Sequence, residues 1–162
     1  MNLREISYKP IGCIHSPFHD IANMPIQPAG SRGIAGKLEI APEYVEGLKY
    51  LGGFSHIILV YHFHLAKGYL LTVKPFLDTH MRGVFATRAP KRPNPIGISV
   101  VRLRRIKGNI VYVEDIDVVD GTPLLDIKPY VSAFDACKTD KIGWLSGKIK
   151  NVHRVRSDKR FE

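Results

Sequence analysis

The run "GISVVRLRRI", then "KGN", then "IVYVEDIDVV" (residues 97 to 119) limits the fold more than any other part of the chain. Two stretches rich in aliphatic and β-branched residues flank a glycine-containing three-residue turn, which predicts an antiparallel hairpin. In its first arm Val101 and Leu103 alternate with Arg102 and Arg104, so one face is expected to be apolar and the other basic. "YKPIGCIHS" (8 to 16), "GKLEIA" (36 to 41), "FSHIILVYHFH" (54 to 64), "GVFAT" (83 to 87) and "PLLDIKPYV" (123 to 131) read as further strands. Two short helices are expected. "PEYVEGLKYL" (42 to 51) opens with proline and spaces Val45, Leu48 and Leu51 along one face, and "TDKIGWLSGK" (139 to 148) offers Thr139 or Asp140 as a cap.

Many short strands with turn signals and little helix predict a mainly β protein: a small single-domain β-barrel with short helical insertions. A parallel Rossmann sheet needs alternating helices, and neither a G-x-G-x-x-G after a strand nor a G-x-x-x-x-G-K-[ST] is present. The chain of 162 residues suits one domain, read as residues 1–145 followed by a basic tail over 146–162. Cys13 and Cys137 are the cysteines and the opening "MNLREISYKP" lacks an apolar signal-peptide core, so a reduced, cytoplasmic protein is expected. The apolar run "FSHIILVYHFHLA" is interrupted by histidines and too short for a membrane span.

The formal charge of +9 points to a polyanionic partner or an anionic ligand, although basic residues also serve solubility. The basic residues gather in "RLRRIKGN", in the tail, and in "RAPKRPNPIG" (88 to 97). In that last segment prolines fix φ and push Ala89, Arg92 and Asn94 toward extended conformations, so it is expected to be a stiff loop presenting Arg88, Arg92 and Asn94. Between the first two strands lies a Pro/Gly-rich loop of the length that often carries function.

His56, His62 and His64 stand at even spacing and would share a strand face, which raises a metal reading, but no H-E-x-x-H accompanies them and the spread is wide for one ion. "EDIDVVDGTPLLDIKPY" (114 to 130) crowds Glu114, Asp115, Asp117, Asp120 and Asp126 into a basic chain. They would bind a cationic group or pair with the arginines. From the residues alone the reading stops at a small-molecule plus polyanion site.

"FSH" (54 to 56), "GVFATRAPKRPNPIGIS" (83 to 99) and "DVVDGTPLLDIKPY" (117 to 130), with "IGCIHSPF" near the start and "PIQP" at 25 to 28, resemble the TsaA/TrmO family over most of residues 6 to 132. The resemblance implies an S-adenosyl-L-methionine-dependent methyltransferase on a small β-barrel, acting on N6 of threonylcarbamoyladenosine beside the tRNA anticodon, and a homodimer with its cofactor pocket near the subunit interface. The family's cofactor contacts carry over to Ile26, Gln27 and Pro28, where isoleucine replaces an arginine, to Phe63 and His64, to Arg88, to Ile98, and to Ile116 with Asp117. Longer bacterial members carry a further C-terminal domain, for which the basic tail and the face with Arg102 and Arg104 are the available substitutes in tRNA binding; Arg92 and Asn94 are assigned to the substrate as well. Methyl transfer from a sulfonium is chiefly a matter of alignment, with Asp120 or Tyr130 as candidates to accept or relay the proton. A non-catalytic RNA-binding barrel and a metal-dependent enzyme remain the alternatives.

Overall fold

The computed structural model describes residues 4–22, 24–27, 30–148, 155–158 and 161. Alternating side chains drive its strands. In β3 (His56–His62), Ile57, Leu59 and Tyr61 point inward while the residues between them are partly exposed. The same alternation runs through β1 (Gly12–His15), β2 (Ala35–Ile40), β6 (Ile96–Lys107), β7 (Ile110–Glu114) and β8 (Thr122–Pro129). These strands close into an antiparallel barrel in the order β1-β2-β7-β6-β3-β8. A second, two-stranded sheet joins β4 (Thr72–Val73) to β5 (Arg82–Gly83). Ile14, Leu38, Ile57, Leu59, Val101, Val111, Ile116 and Leu124 fill the barrel and are all fully buried, so no lumen remains at its centre.

The β6–β7 hairpin forms as expected, with a tighter turn: Lys107 pairs with Ile110, leaving Gly108 and Asn109 at the tip. The register shifts between Leu103 and Arg105, a bulge that interrupts the alternation. Arg102, Arg104, Arg105 and Lys107 consequently all stand exposed.

Three expectations are corrected. "GVFAT" is not a strand: Gly83 ends β5, and Val84–Ala86 form a 3-10 turn closed by the Thr87 N–H and hydroxyl, both donating to the Val84 carbonyl. The segment after Pro42 is a 3-10 helix, Pro42–Leu48, followed by a second short one, Leu51–Gly53. The helix expected over 139 to 148 shrinks to a 3-10 turn, Gly143–Leu145, because Gly143 adopts a φ of 57°, which a right-handed helix cannot continue through. A one-turn α-helix, α1 (Ser132–Asp135), was not expected; the Asp135 carboxylate accepts from the Val131 N–H at 2.6 Å.

The described residues of the last segment are docked on the barrel. Ser157 donates from its backbone to the Met24 carbonyl and from its hydroxyl to Ile21, and its Oγ accepts from the Met24 N–H. Pro25 and Arg156 form an isolated bridge, and Phe161 buries itself against Val73, Val84, Ala89 and Phe76. Further along the same side Lys148 reaches the buried Asp78, which also binds Arg82 and His80. No helix among the described residues is long and apolar enough to cross a membrane.

Candidate functional site

Where β3 ends and β6 begins, the barrel opens into a cleft of about 1010 Å³. Its floor is set by one glycine. Gly97 faces Tyr61 across the β3–β6 ladder, and a Cβ on it would lie 2.2 Å from the Tyr61 ring and 2.9 Å from Phe63. That missing side chain lets Tyr61 and Phe63 pack edge to face with ring centres 5.4 Å apart. Phe63 is tied down by its N–H, which donates to the Pro95 carbonyl at 2.7 Å.

The proline loop forms one wall, and its stiffness has two sources. Besides the prolines, Arg92 donates back to the Thr87 and Ala89 carbonyls at 3.2 and 3.3 Å, clamping the loop on itself. Arg88 extends across to Gln27, donating to its side-chain oxygen at 2.9 Å, and so joins the loop to the first long segment. Ser157 and Arg156 hold that segment from behind. Trp144 donates its ring N–H to the Ala86 carbonyl at 2.7 Å and completes the rim.

At the inner end lies a polar chain. The Ser99 hydroxyl donates to Asp117 Oδ1 at 2.6 Å, and the Tyr61 hydroxyl lies 3.1 Å from Ser99 Oγ. Since Ser99 spends its one proton on the carboxylate, Tyr61 is the donor to Ser99. Burial pushes the Asp117 carboxyl up to about 6, against lowering by the Ser99 hydrogen bond, its own backbone N–H and Arg88. Burial also pushes Tyr61 well above its ordinary value, reinforced by the Asp117 charge, so the phenol keeps its proton. Nearer the mouth, burial and then the neighbouring His62 hold His64 below the usual histidine range; its Nδ1 lies 3.3 Å from the Thr122 hydroxyl.

Of the residues singled out from sequence, Ile26, Gln27, Phe63, His64, Arg88, Arg92, Asn94, Ile98 and Asp117 all line this cleft. Pro28 lies outside the described residues. Ile116 sits instead in the barrel core, fully buried. Asp120 and Tyr130 are not in the lining: Asp120 accepts from the Ser16 N–H and faces His15 and His19, while Tyr130 packs edge-on against His56. Arg102 and Arg104 lie on the outer face, with Arg104 paired to Glu114. The acidic stretch thereby divides. Asp115 accepts from the Gly33 N–H at 2.7 Å, Asp126 pairs with Lys128 at 2.7 Å, and Asp117 alone of the five lines the cleft. His56 and His62 share the outer face of β3, and among the described residues no three His, Cys, Asp or Glu are placed to hold a metal ion.

Ser99, Tyr61, Phe85 and Trp144 also belong to the site and were not singled out from sequence. Ser99 had a signal: it is the polar residue on the otherwise apolar inward face of β6.

A closed antiparallel barrel whose cleft joins an aromatic floor to a carboxylate at its inner end defines a class of small-molecule-binding barrel distinct from the doubly wound nucleotide folds. Residues 13–136 match the family model described as the tRNA-methyltransferase O N-terminal domain, and the chain belongs to that family. It is 54% identical over 156 residues to a Pyrococcus abyssi protein named a probable S-adenosyl-L-methionine-binding protein, covering 96% of this chain and 85% of that one. A mouse protein named tRNA (adenine(37)-N6)-methyltransferase is 36% identical over 138 residues, 79% of this chain and 31% of the mouse one. The crystal structure of TrmO from Pseudomonas aeruginosa superposes with a TM-score of 0.73 at 40% identity, covering 87% of this chain and 63% of that chain. This chain thus spans less than two thirds of the solved relative and under a third of the mouse protein.

Proposed function

We propose that this protein is an S-adenosyl-L-methionine-dependent tRNA methyltransferase that modifies N6 of threonylcarbamoyladenosine beside the anticodon, and that it works in the cytoplasm as a homodimer. The observation that carries this reading is the cleft, with its aromatic walls, its bridging Arg88 and the half-buried Asp117 carboxylate held by Ser99. S-adenosyl-L-methionine unites a flat purine, a ribose, a sulfonium cation and an amino-acid end. Its parts find partners here: Phe63, Phe85, Ile26 and Ile98 for the purine, Arg88 for the carboxylate, and Asp117 for a cationic centre. Burial, and then the neighbouring His62, lower the His64 pKa, which disfavours a positive charge beside the sulfonium. Bound there, the cofactor would supply an electrophilic methyl group. Gln27 and Arg88 would fix its position, while Trp144 and Phe161 would keep water from the reacting end.

For tRNA, the outer ridge of Arg102, Arg104, Arg105 and Lys107 offers phosphate contacts, and Arg105 lies over the Tyr112 ring at 4.2 Å. Arg92 and Asn94 belong to the substrate side of the cleft, and the segment 146–162 extends the barrel domain 1–145 with further positive charge. The dimer reading is supported by the outer face of β3 and β6, where Ile58 and Val60 pair with Val100 and Ile98 in a strip continuous with the cleft.

Calorimetric titration with S-adenosyl-L-methionine and its demethylated product tests the cofactor, followed by methyl transfer to tRNA with and without the threonylcarbamoyl group. Saturable binding and transfer to the carbamoylated tRNA alone are expected. RNA binding without cofactor binding would leave a non-catalytic RNA-binding barrel in place of the enzyme.

A further inference from the structure

In the reading proposed above, the accepting nitrogen carries a carbonyl substituent, so its electron pair is delocalised and it attacks poorly while it keeps its hydrogen. The cleft must therefore receive a proton. Asp120 and Tyr130 stand outside the lining, and the charged or titratable groups within it are Tyr61, His64, Arg88, Arg92, Asp117 and Asp158. Arginines hold their protons at any working pH, and Tyr61 is kept protonated as a donor. Asp117 is the group with machinery built behind it. Two hydroxyls stand in line, Tyr61 to Ser99 to Asp117 Oδ1, with Ser99 only 2% exposed and Tyr61 5% exposed.

We propose that Asp117 is the catalytic base of methyl transfer, with Ser99 and Tyr61 as the positioning residues that hold its carboxylate ionised and aimed into the cleft. This rests on the function proposed above. Asp117 takes the proton of the N–H, the nitrogen's electron pair forms the new bond to the incoming methyl group, and the electron pair of the broken carbon–sulfur bond stays on sulfur. The sulfonium charge is thereby neutralised and the carboxyl leaves protonated, to be released to solvent before the next turnover. A carboxyl at about 6 suits that task, being ionised at neutral pH yet basic enough to hold a proton in transit. Arg88, which bears on Asp117 from the proline loop, favours the ionised state.

The test combines three readouts on the full chain. Carbon-13 NMR of labelled aspartate follows the Asp117 carboxyl directly, without substrate; a midpoint near 6 is expected, raised in Ser99→Ala and less so in Tyr61→Phe. Single-turnover transfer at saturating cofactor is expected to rise with pH through the same midpoint. Asp117→Asn should slow it about 100-fold or more even at saturating cofactor, about 100-fold being the lower end of the range for losing a general base and a loss separate from any weakening of cofactor affinity measured by calorimetry. Ser99→Ala should slow it about 10-fold at pH 5 and recover at pH 9, one unit of midpoint being a factor of ten below both midpoints. An Asp117→Asn protein that keeps its single-turnover rate overturns the proposal, as does a rate loss confined to His64→Asn. An unshifted NMR midpoint in Ser99→Ala removes the positioning role even where Asp117→Asn does not fold. A wild-type protein that transfers no methyl group fails the function proposed above, an outcome distinct from a wild type that transfers and an Asp117→Asn protein that does so equally well.

Discussion

A glycine and an aspartate decide most about the site. Gly97 is required by distance: a methyl group 2.2 Å from the Tyr61 ring, itself buried and hydrogen-bonded, has nowhere to go without moving the aromatic floor. Gly97→Ala should cost about 1–3 kcal/mol of stability, the range for overpacking, and weaken cofactor binding more than an alanine elsewhere on β6. Urea unfolding and calorimetry on the same protein check both. Asp117 sets a pH dependence of stability. Its folded carboxyl is raised from the ordinary 3.8 to about 6, so the stability it contributes is present below about pH 4 and is lost as pH rises through 6. Asp117→Asn keeps an oxygen for Ser99 without the buried charge. Relative to wild type, the variant should gain on the order of 1–2 kcal/mol between pH 4 and pH 8, after discounting for partial exposure. Equal differences at both pH values would mean the carboxyl is not held out of water.

At the scale of elements, the barrel strands were legible because each shows period-2 alternation that only one register can bury. The proline loop was legible for the same local reason: prolines leave little conformational choice. What escaped was decided by distant contacts. The bulge after Leu103 depends on how β7 pairs, and a chain read alone cannot show that Arg104 and Arg105 both face outward. "GVFAT" has strand composition, but among the described residues its strand pairing ends at Gly83. The division of the acidic stretch followed from partners far off in sequence, Gly33 for Asp115 and Ser16 for Asp120. The docked C-terminal residues are another such case, and they yield a prediction. Phe161 closes a small cluster with Phe76, their ring centres 5.2 Å apart, and it also lines the cleft. Phe161→Ala should destabilise by about 2–3 kcal/mol, below the usual core value because the cluster is small and separate from the barrel core, and weaken cofactor binding several-fold. Unchanged cofactor affinity would show that the segment covers the barrel without forming the site.

On the scale of the whole molecule, the closed barrel gives two ends tied by one strand. β6 begins at the cleft and ends at the basic hairpin tip, and at about 3.3 Å per residue the ten steps from Gly97 to Lys107 span about 33 Å. One folded RNA is large enough to touch both ends. The charge on the ridge is partly spent: Glu114 pairs with Arg104, whereas no acidic side chain among the described residues is paired with Arg102, Arg105 or Lys107. Phosphate contacts release counterions, so tRNA affinity should fall steeply with salt. The combined variant Arg102→Ala, Arg105→Ala and Lys107→Ala should flatten the slope of log K against log salt by about 2–3, close to one unit for each contact removed. Glu114→Gln should do the opposite, freeing Arg104 and steepening the slope by about one. Opposite signs from neighbouring positions are hard to obtain by unfolding, which lowers affinity whatever the charge. A slope that stays constant through both variants would place the tRNA backbone on another face and leave the hairpin tip as a solubilising surface.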